Sequence, residues 1–433
     1  MSHALARRPV LCRLRPAATA NPVATPHPLK GEKPIMARLR TLDDIDPAGR
    51  TALVRVDFNV PIQNGRVTDT SRIDRAARTI AELAERGARV VLLSHFGRPK
   101  GEVVPEMSLA PVLGPLREAL GDVPVRYAED CVGDAAESVV AGLRPGEVAL
   151  LENVRFHKGE EKGDAAFADQ LARLGDLYVA DAFSAAHRAH ASVAALAERL
   201  PAVAGRLMQA ELEHLEAALE NPARPLMAVV GGAKVSTKID LLRNLSAKVD
   251  VLAIGGGMAN TFLHAAGYDV GGSMYESDAA DTAWRIMDQA ASKGCALLLP
   301  SDVVVADRLA GDAETEVVRV DAVPADRMIL DLGPESAQTL GQHLETSASL
   351  VWNGPLGAFE TPPFDAATVQ VARKAAELTR AGRLLSIAGG GDTVAALTHA
   401  DVVESFSYVS AAGGAFLEWL EGRELPGVTP LRA

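Results

Sequence analysis

Cysteine is scarce: Cys12, Cys131 and Cys295 are the only three in 433 residues. They are too scattered for a disulfide framework and none stands in the CxxC spacing of a zinc site, usage that fits a reducing, cytoplasmic compartment. Basic charge is in the minority as well, with 44 Lys and Arg against 56 Asp and Glu and a formal net charge of -12 at pH 7. Nucleic acid and anionic membrane surfaces need a broad basic face that displaces counterions, so neither is an expected partner and any basic site must be local. No apolar run approaches the roughly 18 residues of a spanning helix. Two nucleotide signatures are also missing. There is no Gly-Lys dipeptide and hence no GxxxxGK[ST] phosphate loop, and no GxGxxG opens a first βα unit.

What is present is a long chain, 48% hydrophobic, which exceeds what one core usually supports and predicts two domains. Residues 1–35 differ from the rest: Arg7, Arg8, Arg13, Arg15, Lys30 and Lys33 face one acid, Glu32, amid alanine and proline. They have no periodicity and are expected to be a disordered or non-native extension, outside the fold. From Thr51 on, short apolar runs alternate with helix-length amphipathic segments, which predicts parallel sheets covered by helices on both faces. The expected strands are 52–56, 89–93, 148–151, 177–180, 226–230, 249–254, 296–299, 350–352 and 384–387. The segment Gln209 to Asn221, apolar at helical spacing, is the candidate helix between the lobes, placing the division near residue 206. Such sheets bind ligands beyond the carboxyl ends of their strands.

In the N-terminal half those ends carry basic and polar residues: Arg55, Asp57 and Asn59, then His95 and Arg98, then Arg155, then His187, Arg188 and His190, with Arg72 opening a helix. A guanidinium is a planar fork of donors matched to phosphate or carboxylate oxygens. One such arginine is an ordinary surface charge; the set at corresponding positions predicts an anion site. Arg55 lies within a strand and could face either way. HRAH has the look of metal ligands but no third ligand at metal spacing, and an anion site accounts for the intervening Arg188.

In the C-terminal half the strand ends carry glycine, as in GGAKVSTK, IGGGMANTF, WNGPLGAFE, IAGGGDT and SAAGGAF. Glycine lets backbone N–H groups approach a phosphate, and a following helix adds its dipole. Lys234 and Lys238 would share one side of a helix beginning near Val235, about 6 Å apart. In GGGDT, Thr393 is a candidate N-cap and Asp392 stands where a phosphate-bound cation needs a carboxylate, although both are ordinary helix-starting residues without any ligand.

The set VRVDFNVP, SHFGRP, LLENVRFH, HRAHAS, GGAKVSTK, WNGPLGAFE and GGGDT, in this order between about Met36 and Gly422, resembles the phosphoglycerate kinase family. The resemblance implies two Rossmann-like doubly wound α/β domains joined by a hinge helix: a 3-phosphoglycerate-binding domain over 36–206, a nucleotide-binding domain over 207–415, and a segment, 416–433, returning to the first. It implies reversible transfer of the acyl phosphate of 1,3-bisphosphoglycerate to MgADP, giving 3-phosphoglycerate and MgATP, in a monomeric cytoplasmic enzyme. By motif, Asp57, Phe58, Asn59, Arg72, His95, Phe96, Gly97, Arg98, Arg155 and Arg188 would bind the glycerate. Lys238, Glu360, Gly390, Gly391, Asp392 and Thr393 would bind nucleotide, Asp392 being the protein contact of Mg2+. Arg72, Lys234 and Lys238 would face the phosphoryl group in flight. Ser184, Ala186, Tyr408, Ala411 and Ala412 depart from the family pattern beside the ligand turns. Two other classes stay open on the residues alone. A dehydrogenase on the same fold would not need the paired lysines, and a two-lobed anion receptor would normally be exported.

Overall fold

The computed structural model describes residues 38–432; the extension expected over 1–35, with Cys12, lies outside them. The first sheet is built from β1 (Thr51–Arg55), β4 (Arg89–Leu93), β5 (Val125–Ala128), β6 (Val148–Leu151), β7 (Leu177–Ala180) and β8 (Ala202–Ala204), a small hairpin of β2 (Ile62–Gln63) and β3 (Arg66–Val67) standing apart. Its order is β5-β6-β4-β1-β7-β8, and every pairing is parallel. Alternate residues of one strand serve opposite faces. Ala52, Val54, Val90 and Leu92 enter one apolar cluster, while Leu53, Val91 and Leu93 enter another, the period-two rule of a sheet covered on both sides. Helices α1 (Ser71–Glu85), α2 (Leu113–Leu120), α3 (Gly133–Ala141) and α4 (Ala165–Ala172) supply the cover; α1 buries Ile73, Ala76, Ile80 and Leu83 at helical spacing.

The second sheet repeats the plan. It consists of β9 (Leu226–Val230), β10 (Val251–Ile254), β11 (Ala296–Leu298), β15 (Ser349–Asn353), β16 (Leu385–Gly389) and β17 (Tyr408–Ser410), in the order β11-β10-β9-β15-β16-β17. An antiparallel sheet of β12 (Asp302–Ala306), β13 (Thr315–Arg319) and β14 (Met328–Leu332) is inserted after β11. Helices α6 (Ile239–Lys248), α7 (Gly257–Ala265), α8 (Ala280–Lys293), α9 (Pro334–Thr346), α10 (Ala366–Arg380), α11 (Gly391–His399) and α12 (Gly413–Leu420) complete it. The sequence reading places its nine strands within two residues of those observed and misses β5, β8, β17, the β2–β3 hairpin and the inserted sheet. Those parallel strands have only three or four residues, and β13 is largely exposed; β12, DVVVA, does carry an apolar run and was passed over.

Between the sheets runs α5 (Arg206–Leu219), opening three residues before the expected helix. Its buried Met208, Leu212 and Leu215 join one contiguous core that includes Leu53 and Val91 of the first sheet and Leu226 and Ala228 of the second. Its first turn is held by Asp181, at the end of β7, whose Oδ1 accepts from Leu207 N at 2.9 Å and Met208 N at 3.2 Å. The other oxygen, Oδ2, is buried without a partner.

Burial pushes the Asp181 carboxyl up to about 7. A carboxyl raised above its unfolded value binds its proton more tightly in the folded chain, so native stability is lost as pH rises from ~4 toward 7. An amide keeps the acceptor and cannot ionise. Asp181→Asn should therefore gain on wild type by roughly 1–3 kcal/mol between about pH 5 and about pH 7.5 in urea unfolding; a pH-independent difference would show that the proton sits elsewhere.

Candidate active site

Because β6, β4, β1 and β7 are neighbours in the first sheet, the loops leaving their carboxyl ends adjoin. Asp57, just after β1, is the hub. Arg72 Nη1, from the first turn of α1, donates to Asp57 Oδ2 at 2.5 Å, Ser184 Oγ donates to the same oxygen at 2.5 Å, and Asn59 N donates to Oδ1 at 3.0 Å. Burial alone would raise the Asp57 carboxyl, but His95, Arg72 and Ser184 outweigh it and hold the group below its ordinary value. His95 is itself pushed well down by burial and by Arg55 and is neutral at pH 7, so Arg72 and Ser184 keep Asp57 ionised.

A backbone chain continues the site. Asn59 Oδ1 accepts from Gly97 N at 3.0 Å, and Gly97 O accepts from Arg155 Nη1 at 2.7 Å. Gly97 has φ +61°, a left-handed conformation that favours glycine, and a Cβ there would meet Met107 Sδ at 2.8 Å. Phe96 O accepts from Asn153 Nδ2 at 2.7 Å. Phe58 is buried in the core, its N–H donating to Ser94 Oγ at 2.9 Å. Phe58 thus serves as an anchor under the loop.

Four guanidiniums remain around this frame with few carboxylates to meet them. Arg98 and Arg188 are exposed and make no side-chain hydrogen bond or ion pair among the described residues. Arg155 is 6% exposed; its Nε lies 3.4 Å from Glu161 Oε1 but without hydrogen-bond geometry. Burial, partly offset by Glu161 and joined by Arg55 and Arg188, lowers its pKa. His190 is pushed down to about 4 by burial and the three arginines, and His187 is lowered by burial and Arg188. The pocket repels further positive charge, which is the electrostatics of a site completed by an anion. Arg55, whose direction the sequence left open, points inward: its Nε donates to Ser192 Oγ at 2.8 Å, and Ser192 Oγ donates to buried Glu160 Oε1 at 2.6 Å. Arg55 is structural.

In the second lobe a cleft of about 440 Å³ opens beyond the strand ends. Its floor is backbone: a Cβ on Gly231 would strike Pro355 O, one on Gly354 would strike Gly231 O, and one on Gly256 would come within 2.8 Å of Gly232 N. Lys238 enters from the side. Its Nζ donates to Gly231 O at 2.7 Å and to Asn353 Oδ1 at 2.6 Å, and burial, opposed by Asp392, lowers its pKa to about 8. The expectation that Lys234 and Lys238 share a helix is corrected. A 3-10 turn over Val235–Thr237 ends at Lys238, where ψ is 20°, and α6 starts afresh at Ile239, leaving Lys234 exposed and Lys238 turned inward.

The GGGDT turn is likewise tighter than expected. Gly390, with φ +100°, is the N-cap of α11, so Thr393 is not the cap; it lies buried in the first turn and its Oγ1 accepts from Gly354 N at 2.7 Å. Gly391 and Asp392 are exposed beside it, and Asp392 and Glu360 line the cleft. Asp392 makes no hydrogen bond or ion pair among the described residues.

Sequence reasoning missed Asn353, which orients Lys238 although WNGPLGAFE was in view, and it missed Glu211. On α5, Glu211 stands at the i+3 position from Met208, an acid on an otherwise apolar stripe, the one signal that could have found it. It is 3% exposed, pushed up to about 7 by burial, and accepts from Ser410 Oγ at 3.2 Å. With Asp57, Arg72 and Ser184 from one lobe and Ala411 and Ala412 from the other, Glu211 lines a cavity of about 40 Å³ between the lobes.

The sequence model of the family described as phosphoglycerate kinase matches residues 42–423. A phosphoglycerate kinase of Methylorubrum extorquens is 62% identical over 399 residues, 92% of this chain and 100% of its own length. One of Caulobacter vibrioides is 61% identical over 394 residues, 91% of this chain and 99% of that protein. The solved phosphoglycerate kinase of Coxiella burnetii superposes with a TM-score of 0.85 at 44% identity, covering 91% of this chain and 98% of that one. That of Pyrococcus horikoshii gives 0.74 at 29% identity over 91% and 98%.

A Cβ on Gly390 would meet Asn353 Nδ2 at 2.7 Å in a backbone conformation reserved for glycine. Gly390→Ala should cost about 1–3 kcal/mol in urea unfolding. An unchanged midpoint would mean that the turn relaxes without strain.

Proposed function

The chain belongs to the phosphoglycerate kinase family, whose reaction is the reversible transfer of the acyl phosphate of 1,3-bisphosphoglycerate to ADP; on that premise we propose which of its residues carry each part of that reaction. Asp57, Asn59, Arg72, His95, Arg98, Arg155 and Arg188, with the backbone at Phe58, Phe96 and Gly97, hold the glycerate substrate in a domain of residues 36–206. Lys238, Glu360 and Gly390 to Thr393 hold the nucleotide in a domain of residues 207–415, Glu360 on the ribose hydroxyls. Residues 416–433 return to the first domain, a reading supported by Arg40 N donating to Leu431 O at 2.8 Å and Gly427 N to Ala186 O at 2.8 Å. As the family resemblance implies, we place the protein in the cytoplasm as a monomer. Separately, no helix among the described residues is long and apolar enough to cross a membrane.

The observation that carries this reading is the pairing of two sites across α5: guanidiniums short of counter-charge on one lobe, and a glycine-rich cleft with a half-buried lysine beside it on the other. Asp392 fits Mg2+, being an exposed, unpartnered carboxylate at a helix start, since this ion binds through one or two carboxylates with phosphate and water. When bound with the nucleotide, Mg2+ would neutralise phosphate charge. The rest of the chemistry belongs to the chain. The acceptor is a carboxylate with pKa near ~4, already ionised at neutral pH, so no general base is needed. Arg72, Lys234 and Lys238 then face the transferring phosphoryl and stabilise its charge during in-line displacement. Arg72 must first leave or share Asp57, and Lys238 must exchange its carbonyl partners for phosphate oxygens.

Arg72→Ala should lower kcat about 10²–10³-fold while the MgADP dissociation constant, measured calorimetrically, stays within about threefold; equal losses would remove Arg72 from the transfer step. Direct transfer also requires the lobes to approach. Small-angle scattering should show a smaller radius of gyration with both substrates bound than with neither, and an unchanged radius would count against closure by hinge motion.

A further inference from the structure

At the edge of the first sheet, β5 pairs in parallel with β6, so the loops leaving their carboxyl ends lie side by side. They bring together Asp130 and Cys131 from one loop and His157 from the other, with one donor atom of each within 4.8 Å of the rest. His157 Nε2 lies 2.6 Å from Asp130 Oδ1, and its ring is stacked on Phe167 with centroids 5.0 Å apart, which fixes the imidazole plane. Cys131 is fully buried, whereas Asp130 and His157 are partly exposed. The sulfur therefore lies on the inner side of the cluster, with the nitrogen and oxygen toward solvent.

We propose that Asp130, Cys131 and His157 form a binding site for a divalent ion of the zinc class, with water in the fourth position. A sulfur, a nitrogen and a carboxylate oxygen are a donor set that Zn2+ accepts in full, whereas Mg2+ and Ca2+ take oxygen alone. Bonds of about 2.0–2.3 Å to a tetrahedral centre put ligand atoms roughly 3.3–3.8 Å apart. The present contacts bracket that range: the Asp130–His157 hydrogen bond opens as the ion replaces its proton, and the sulfur is approached by small loop adjustments. The site lies outside the glycerate pocket, but His157 is two residues from Arg155, whose guanidinium reaches Gly97 O. The sequence could not show it, because Cys131 and His157 are 26 positions apart and match no metal-binding spacing.

Titration of the full chain with Co2+, followed by near-ultraviolet absorption, reads a cobalt–thiolate bond directly. One equivalent should produce the charge-transfer band, and Zn2+ should bleach it. The band should vanish in Cys131→Ser and persist in Cys12→Ser and Cys295→Ser, and Co2+ should bind His157→Ala about tenfold or more weakly. Absence of the band in wild type, or its survival in Cys131→Ser, would overturn the proposal. Should Cys131→Ser fail to fold, Asp130→Asn and His157→Ala decide, because unchanged Co2+ affinity in both would overturn it equally.

Discussion

The structure depends on the burial of one helix against two sheets. Met208, Leu212 and Leu215 of α5 are at most 1% exposed, and the core they complete includes strands of both lobes. Parting the lobes would expose that apolar area at about 25 cal/mol per Å². Motion that leaves it covered, a rotation about the ends of the helix, is the less costly one. The polar groups at this junction agree with that constraint. Asp181 fixes the start of α5, and Glu211 in its middle touches β17 through Ser410, so the segment that joins the lobes also borders Arg72.

Charge is arranged with similar economy. The first lobe gathers guanidiniums that disfavour one another, while burial holds His95 and His190 neutral and so limits the repulsion. Asp57 restrains Arg72, the residue assigned to the transferring group, through a contact that an incoming phosphate would compete with. The second lobe does the same with Lys238, whose half-buried ammonium is met by Gly231 O and Asn353 Oδ1. In both lobes the resting partners of the key cation are weaker counter-charges than the phosphate that would displace them.

Much of this was legible in the sequence wherever chemistry and local pattern coincide. Strands buried on both faces, such as LMAVV in β9, announce themselves as apolar runs, and the arginines stand out because strand ends are where such sheets bind ligands. Edge strands of three or four residues do not announce themselves, since half their side chains meet solvent or little is there to bury. The direction of a side chain was also beyond reach. Arg55 turns into a buried network with Ser192 and Glu160, and Lys238 turns inward because the chain breaks between a 3-10 turn and α6, neither of which a periodicity can express. Asn353 stood inside a recognised motif yet acquired its role only from the juxtaposition of β15 with the loop after β9.

The floor of the second lobe's cleft has a further consequence. Gly231, Gly256 and Gly354 pack on the main chain of Pro355, Gly232 and Gly231, leaving no room for a side chain. A surface made of peptide groups cannot be retuned by substitution: it would offer any nucleotide held there, as proposed, the same donors, whatever its base. On the proposed reading, discrimination would come from the walls, from Leu309 and Met328 to Leu332 on one side and Pro355 to Thr361 on the other, so that preference for one base over another could drift in evolution while a grip on phosphates stayed fixed.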